Sequence, residues 1–283
     1  MPPAAIALVV AAAFCHAGWN LAAKRAGDGG PALLWLSTAI SSVLYAPALF
    51  FVRPSFTWAA LGVILCSSVV HLGYFLLLQR GYKVGDLSVV YPLARGTGPL
   101  LSVGVAVLVL GERPGWLALA GGLTVVVGIL IVSGGPGTGD KARRRKGLAY
   151  GLVVGVFIAG YTVFDAHAVG PLAIAPLFFD WGNNLCRLVF LSPYAARNPG
   201  KVRAVWHRYR KEVFVIAALS PLAYILVLFA YTMAPVSLVA PARELSIVVG
   251  SVFGWLLLRE PNPLRRLLGA AVVLGGVVAL AAG

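Results

Sequence analysis

Long apolar runs separated by short polar gaps make up most of this chain. Each run is about 18–25 residues long, which is enough for a helix to cross about 30 Å of hydrocarbon. The gaps between them carry turn residues, as in AGDGGP, RPSF, GYKVGD, GERPG and REPNP. The pattern predicts an all-α membrane protein with ten transmembrane helices, at 4–23, 31–52, 57–79, 86–110, 115–133, 147–168, 172–195, 212–232, 236–258 and 264–282.

One stretch of this pattern occurs twice. It reads SVVYPLARGTGPLLSVGVAVLVLGE from Ser88 to Glu112 and SLVAPARELSIVVGSVFGWLLLRE from Ser237 to Glu260. Each copy has a proline four residues after the serine, then an arginine, an apolar run and a glutamate; the second copy lacks one residue between proline and arginine. Matching prolines and membrane arginines in two halves indicate a transporter site. The matched positions are Pro92 and Pro241, Arg95 and Arg243.

Three further stretches match in the same order. HAGWN (16–20) matches IAGYT (158–162), RGYKVGDLS (80–88) matches FAYTMAPVS (229–237), and LAGGLTVVVGI (119–129) matches LLGAAVVLGGV (267–277). Each half then has five helices, and an odd number means that the second half enters the membrane from the opposite side. We expect two inverted five-helix repeats, 1–133 and 147–283, joined by a basic linker at 134–146.

Composition and charge place the chain in a membrane. Hydrophobic residues make up 60% and charged residues 11%, against about 25% charged in soluble domains. The net charge of +14 does not indicate nucleic-acid binding, because 18 of the 23 Lys and Arg lie in the gaps after odd-numbered runs and two in those after even-numbered runs. The positive-inside rule then puts the odd gaps in the cytoplasm and both termini outside the inner (cytoplasmic) membrane. The first apolar run has no basic residue before it, so a cleaved signal peptide is not expected.

Cofactor and metal chemistry find no support in the sequence. The three cysteines, Cys15, Cys66 and Cys186, are scattered inside apolar runs and suggest neither disulfides nor zinc. The four histidines have no metal-ligand spacing, and no Walker motif is present. We expect no cofactor, with a small-molecule substrate and the lipid bilayer as partners, in a monomer or a homodimer.

Six of the charged residues within the apolar runs are candidates for a functional role. A charge in hydrocarbon costs at least about 2.5 kcal/mol, so such residues face a cavity or a partner. Arg95 shares a helix face with Tyr91, and Pro92 is expected to open that helix; Arg95 could bind a carboxylate or phosphate there, or form a structural ion pair. The six residues are Arg95, Arg187, Arg243, Asp165, Asp180 and Glu244.

The three acidic residues of this set lie in runs six, seven and nine. In run seven, Asp180, Asn183, Asn184 and Arg187 form one stripe, in which Asn184 could link Asp180 to Arg187; the stripe lines the substrate path or joins helices. Adjacent residues such as Arg243 and Glu244 point apart, so we expect each to pair with other helices. Glu244 and Asp180 are the proton-coupling candidates, while Asp165, near the end of run six, is expected at a wetted surface.

Aromatic residues at matching depths complete the predicted substrate site. Such side chains suit an organic substrate with an apolar part. The predicted substrate-binding residues are Trp19, Asn20, His71, Tyr74, Tyr91, Arg95, Tyr161, Asn184, Arg187, Tyr224 and Arg243.

Several motifs resemble a known family over essentially the whole chain. They are HAGWN in run one, GYKVGDLSVVYPLARGTGPLLS leading into run four, Gly-Glu-Arg-Pro at 111–114 and Arg-Glu-Pro at 259–261. The chain thereby resembles the drug/metabolite transporter superfamily, in its ten-helix EamA-like family. The resemblance implies a transporter rather than an enzyme, with both termini cytoplasmic, which is opposite to the charge bias. Run one lacks the membrane glutamate that the small four-helix multidrug branch uses for cation exchange.

Two functions remain open at this point. The first is a secondary transporter that moves a small organic metabolite, amino-acid-like and anionic or zwitterionic, by alternating access, with proton-coupled efflux as one mode. The alternative is an intramembrane enzyme acting on lipid phosphates, which would need a base beside Ser88 or Ser237.

Overall fold

The computed structural model describes residues 1–27, 29–52, 57–85, 87–133, 141–258 and 263–283. Within these residues the secondary structure is helical, without a strand. The helices are α1 (Pro3–Arg25), α2 (Gly30–Tyr45), α3 (Trp58–Val84), α4 (Leu87–Leu108), α5 (Trp116–Ser133), α6 (Lys141–Val169), α7 (Pro176–Arg197), α8 (Pro199–Met233), α9a (Val236–Ala242), α9b (Leu245–Leu258) and α10 (Pro263–Ala282). We treat α9a and α9b as two parts of a ninth helix. After α2 the chain continues through a 3₁₀ turn at Ala46–Ala48 and a short helix at Leu49–Val52.

Within the described ranges, six helices are long and apolar enough to cross a bilayer: Pro3–Arg25, Gly30–Val52, Trp58–Val84, Lys141–Val169, Pro199–Met233 and Val236–Phe253. The helices at Trp116–Val132 and Leu267–Ala282 are apolar but shorter. Apolar side chains such as Phe50, Phe51 and Trp58 are exposed on the outer surface. These features are those of a multi-pass membrane protein.

Two helices begin earlier than the apolar pattern predicts. α6 begins at Lys141 rather than at residue 147, because ARRRK is a good helix-forming segment whose exposed charges remain outside the apolar part. α8 begins at Pro199 and includes the basic segment that precedes the predicted run. Its backbone leaves helical geometry at Tyr209, with φ −126° and ψ 26°, so the basic segment and the apolar segment meet at a kink.

The predicted opening of the helix at Pro92 is wrong. α4 is continuous from Leu87 to Leu108, and the matching helix of the second half is the broken one. There the amide of Glu244 bonds to the Pro241 carbonyl, an i→i+3 contact that separates α9a from α9b. The second copy is one residue shorter at this place, and we attribute the tighter turn to that missing residue.

Contacts between the two halves occur in reciprocal pairs. The counterparts are α1 and α6, α2 and α7, α3 and α8, α4 and α9, and α5 and α10. The contact of α3 with α6 is matched by that of α8 with α1, the contact of α4 with α6 by that of α9b with α1, and the contact of α2 with α8 by that of α7 with α3. Two helices pack on their own counterparts, α5 on α10 and α2 on α7. Among the described residues, one apolar core forms around the buried side chains of Phe178 and Phe179, where the start of α7 meets the end of α6 and the end of α8.

Glycines allow α5 and α10 to approach closely. A Cβ on Gly121 would lie 2.7 Å from the Gly276 carbonyl oxygen, and a Cβ on Gly128 would lie 2.9 Å from that of Gly269. In the repeat alignment, Gly121 corresponds to Gly269 and Gly128 to Gly276. The two contacts are therefore images of each other, and the equivalent helices α5 and α10 cross antiparallel.

Candidate functional site

A buried carboxylate, Asp165 of α6, lies at the centre of the polar interior. It has no exposed surface. Ser67 Oγ of α3 donates a hydrogen bond to Oδ1 at 2.6 Å, and Tyr224 OH of α8 donates to Oδ2 at 2.5 Å. His71 Nε2 lies 2.8 Å from the same Oδ2. The expected wetted position of Asp165 is wrong, because α3 and α8 cover this end of α6.

Aromatic rings surround the Asp165 cluster. The imidazole of His71 stacks on the Tyr161 ring, with centroids 4.2 Å apart and planes at 26°. Tyr224 meets His71 edge-on at 5.7 Å, and Tyr74 meets Tyr161 edge-on at 5.6 Å. The structure thus brings together four of the predicted substrate-site residues, from α3, α6 and α8.

Arg243 approaches this aromatic group at the break between α9a and α9b. Its Nη2 donates to Tyr161 OH at 3.2 Å, and Nη1 donates to Thr162 Oγ1 at 3.5 Å. The guanidinium carbon lies 5.8 Å from the Tyr161 ring centroid. Among the described residues no carboxylate lies within 4.0 Å of this guanidinium, and its hydrogen-bond partners are the neutral hydroxyls of Tyr161 and Thr162.

Arg95, the counterpart of Arg243 in the first half, has an acidic partner. Its Nη2 lies 2.8 Å from Oε2 of Glu244, and the two side chains are 14% and 3% exposed. Nη2 also lies 3.4 Å from Ser246 Oγ. The expectation that Glu244 pairs with another helix is confirmed, and the structural ion pair considered for Arg95 is present.

The polar stripe of α7 forms the expected network. Asn184 Nδ2 donates to Asp180 Oδ2 at 2.8 Å, and Arg187 Nη1 donates to Asn184 Oδ1 at 3.5 Å. Ser68 Oγ of α3 donates to Asn183 Oδ1 at 2.7 Å, which joins the two helices. Asn183 therefore joins α7 to α3, and Asn184 connects the two charged residues of the stripe, Asp180 and Arg187.

Three predicted residues lie apart from these clusters. Trp19 packs edge-on against His16 at 5.0 Å on α1. Asn20 is exposed, and its amide donates to the carbonyl of His16 at 2.7 Å. Tyr91 is 37% exposed on α4. Their assignment to a substrate site stays a prediction.

The space beside Arg243 is narrow. A cleft with about 150 Å³ of empty volume separates α4, α6 and α9. Its lining is Pro99, Ser102, Ile158, Thr162, Ala240, Arg243 and Glu244. An apolar pocket with about 560 Å³ of empty volume adjoins it across Pro99, between α4, α5 and α9a. Within the described residues, the space beside Arg243 is therefore a small gap between helices.

Glu112, in the loop after α4, contacts the second half. Its Oε1 accepts the amide of Val236 and its Oε2 that of Ser237, each at 2.9 Å. A carboxylate there satisfies two free amides of a helix N-terminus and complements its dipole. Its repeat counterpart, Glu260, is outside the described residues.

The surroundings of Asp165 and Glu112 differ from or go beyond what the sequence predicts. The sequence predicts a surface position for Asp165 because it lies near the end of run six. A usable signal existed, since Ser67 and His71 are four residues apart and so are Tyr161 and Asp165, which places each pair on one helix face. The contact of Glu112 with α9a spans 124 residues and has no local signature.

Ser237, one of the two serines considered for an intramembrane enzyme, has no base within reach among the described residues. A serine nucleophile needs a base within hydrogen-bond reach. Within the described part of the chain, the buried Ser237 Oγ has no hydrogen-bond partner. The side chain of Ser88 lies outside what the structure describes.

Comparison with known proteins agrees with the motifs. No curated protein matches the chain. A solved crystal structure superposes with a TM-score of 0.76 over 97% of this chain and 98% of its own, at 14% sequence identity, which shows a shared fold. The EamA-like transporter family matches residues 3–134 and again residues 145–282, nearly the whole length in two copies. The chain therefore belongs to the EamA-like transporter family of the drug/metabolite transporter superfamily.

Proposed function

We propose that this transporter moves a small organic anion or zwitterion, of amino-acid-like size, across the cytoplasmic membrane by alternating access. The observation that carries the proposal is the charge at Arg243. Among the described residues it has no carboxylate partner, whereas Arg95 pairs with Glu244 and Arg187 reaches Asp180 through Asn184. A guanidinium buried in this way favours an anion as its missing partner.

The surroundings of Arg243 support an organic substrate. Tyr161 accepts its hydrogen bond and also stacks on His71, so a carboxylate at Arg243 would adjoin aromatic faces. Aromatic walls with few polar groups are typical of sites that take partly apolar ligands. Asp180, with Asn184 as its partner, is an acid that could receive an ammonium group.

The antiparallel crossing of α5 and α10 supports an inverted relation between the two repeats. In transporters built this way, the substrate site lies between the repeats, and rocking of one repeat against the other opens it to each side in turn. The narrow cleft at Arg243 fits a closed state in that cycle. We extend the proposal to ten spans, the two parts of α9 forming one of them, and to coupling with protons.

Transport assays in vesicles test the proposal. Purified protein is reconstituted into vesicles, and the vesicles are loaded with a pool of amino acids and short carboxylates. Counterflow of each labelled compound into the vesicles is then measured. We expect counterflow of at least one carboxylate and loss of that counterflow in Arg243→Gln. Vesicles that show no counterflow for any compound, although the protein is folded and inserted, would contradict the assigned substrate class.

A further inference from the structure

The His71–Asp165 pair has the geometry of a proton-binding site. Asp165 accepts from Ser67, His71 and Tyr224, all within 2.8 Å, and is fully buried. With Asp165 ionised, the carboxylate can only accept, and Nε2 of His71 carries the hydrogen in this contact. Nδ1 is then the free nitrogen, and within the described residues it has no hydrogen-bond partner. The His71 side chain is 16% exposed, whereas that of Asp165 is fully buried.

We infer that the His71–Asp165 pair, rather than Glu244 or Asp180, binds the proton that is coupled to transport; the inference rests on the proposed function. The proton adds to the Nδ1 lone pair of His71 while Nε2–H stays bonded to Asp165. The pair changes from one negative charge to zero, without another group gaining or losing a proton. Histidine is the side chain that most readily changes charge near neutral pH.

Glu244 and Asp180 are less suited to this role. Glu244 lies 2.8 Å from the Arg95 guanidinium, and protonation would leave that arginine buried without its partner. Asp180 is connected to Arg187 indirectly, because Asn184 donates to Asp180 and accepts from Arg187. Protonation of Asp180 would remove the negative charge from that network. The pair at His71 and Asp165 instead changes charge inside a shell of hydroxyl groups and aromatic rings.

The pair also breaks the symmetry between the halves. Extending the repeat alignments without gaps places Ala23 opposite Asp165, Ser220 opposite His71 and Phe75 opposite Tyr224. The inverted counterpart of this site therefore has neither a histidine nor a carboxylate. A proton site that lies between the halves but has no counterpart at the inverted position makes an otherwise repeated interface chemically asymmetric.

Tyr161 connects the proton to the substrate site. Its ring stacks on His71 on one side, and Arg243 reaches both its hydroxyl and its ring. A positive His71 imidazolium stacked on Tyr161 competes with the Arg243 guanidinium for the same ring and raises the positive potential around Arg243. Arg243 then binds an anion more strongly, so the proton and the anion favour each other and travel together.

The polar interior holds other charged groups on the neighbouring helices, and none of them bonds to Asp165 or His71 within the described part of the chain. They are Arg95 on α4, Asp180 and Arg187 on α7, and Arg243 and Glu244 on α9.

The test is the pH dependence of binding in detergent, with a pool of short carboxylates that stay ionised from pH 5.5 to 8 as the probe. We expect binding to strengthen as pH falls, by at most about tenfold per pH unit because one proton is coupled. Asp165→Asn should flatten this dependence, and His71→Gln should do so as a second variant if the first fails to fold. Arg113→Gln, at an exposed loop position, is the control and should retain it. Asp180→Asn tests the rival carboxylate and should also retain the pH dependence.

The outcomes separate the two proposals. Wild-type binding that ignores pH or weakens as pH falls overturns this inference alone. A dependence that survives in Asp165→Asn and disappears in Asp180→Asn also overturns it, in favour of Asp180. An absence of binding at every pH overturns the proposed substrate class and this inference with it.

Discussion

Arg95 of α4 and Glu244, in the turn between α9a and α9b, form a buried ion pair, with Nη2 and Oε2 2.8 Å apart. The pair links the two repeats at the level of the polar interior. It also separates the roles of the two repeated arginines, because Arg95 has a protein carboxylate as its partner whereas Arg243 has tyrosine and threonine hydroxyls. The repeat thus supplies one structural arginine and one that we assign to the substrate.

Removing one member of this pair should destabilise the fold strongly. Arg95→Met leaves the Glu244 carboxylate buried without a countercharge, which costs about 3–5 kcal/mol in buried pairs. The double variant Arg95→Met/Glu244→Met removes both charges and should recover most of the loss. Thermal unfolding in detergent measures the stability of the single and the double variant. A double variant as unstable as Arg95→Met would show that Arg95 does not stabilise the fold through its ion pair with Glu244.

Glu112 should stabilise the start of α9a across the interface. In Glu112→Ala two amides of Val236 and Ser237 lose their acceptor, and we expect a loss of about 1–2 kcal/mol, as for a deleted helix cap. Arg113→Ala is the control, since that neighbour is exposed. Equal unfolding temperatures for the two variants would contradict the capping role.

The crossing of α5 and α10 predicts a contrast between adjacent glycines. A Cβ at Gly276 would lie 2.7 Å from the Gly121 carbonyl oxygen, whereas a Cβ at Gly275 meets nothing within 4 Å. Gly276→Ala should therefore lower stability by about 1–3 kcal/mol through overpacking. Gly275→Ala should leave stability unchanged or raise it, because alanine favours helix. Equal unfolding temperatures of the two variants would argue against this helix contact.

The charge bias predicts the orientation of the chain. Exposed Arg144 lies in a gap after an odd-numbered run and exposed Arg113 in one after an even-numbered run, so the positive-inside rule puts residue 144 in the cytoplasm. With Cys15, Cys66 and Cys186 replaced, Arg113→Cys should react with a membrane-impermeant maleimide on intact cells, and Arg144→Cys should not. The reverse pattern would place both termini in the cytoplasm.

The helices could be predicted from the sequence because hydrophobic length and gap residues are local. The start of α10 at Pro263 lies one residue from its predicted start, whereas α6 and α8 begin earlier because charged segments outside the membrane can also be helical. The partners of buried charges are set by packing between distant segments. Asp165, expected near water, is covered by Ser67 and Tyr224 from two other helices.

The break between α9a and α9b shows the limit of local rules in another way. Pro92 and Pro241 each occupy the sixth position of their helix, yet α4 continues and the helix at Pro241 does not. Proline alone therefore does not decide the outcome. The one-residue difference before Arg243 was visible in the sequence, but its effect depends on how the turn packs.

The most direct test of the account is the affinity of the purified protein for carboxylates with and without the Arg243 charge. Isothermal titration with the compound that shows the strongest counterflow should give binding weakened about tenfold to a hundredfold in Arg243→Gln, as for loss of a charged hydrogen bond of about 1.5–3 kcal/mol. Arg243→Lys should be intermediate, because lysine keeps the charge and loses the planar fork, and Arg113→Gln should match the wild type. Unchanged affinity in a folded Arg243→Gln protein would contradict the assignment of Arg243 to the substrate anion.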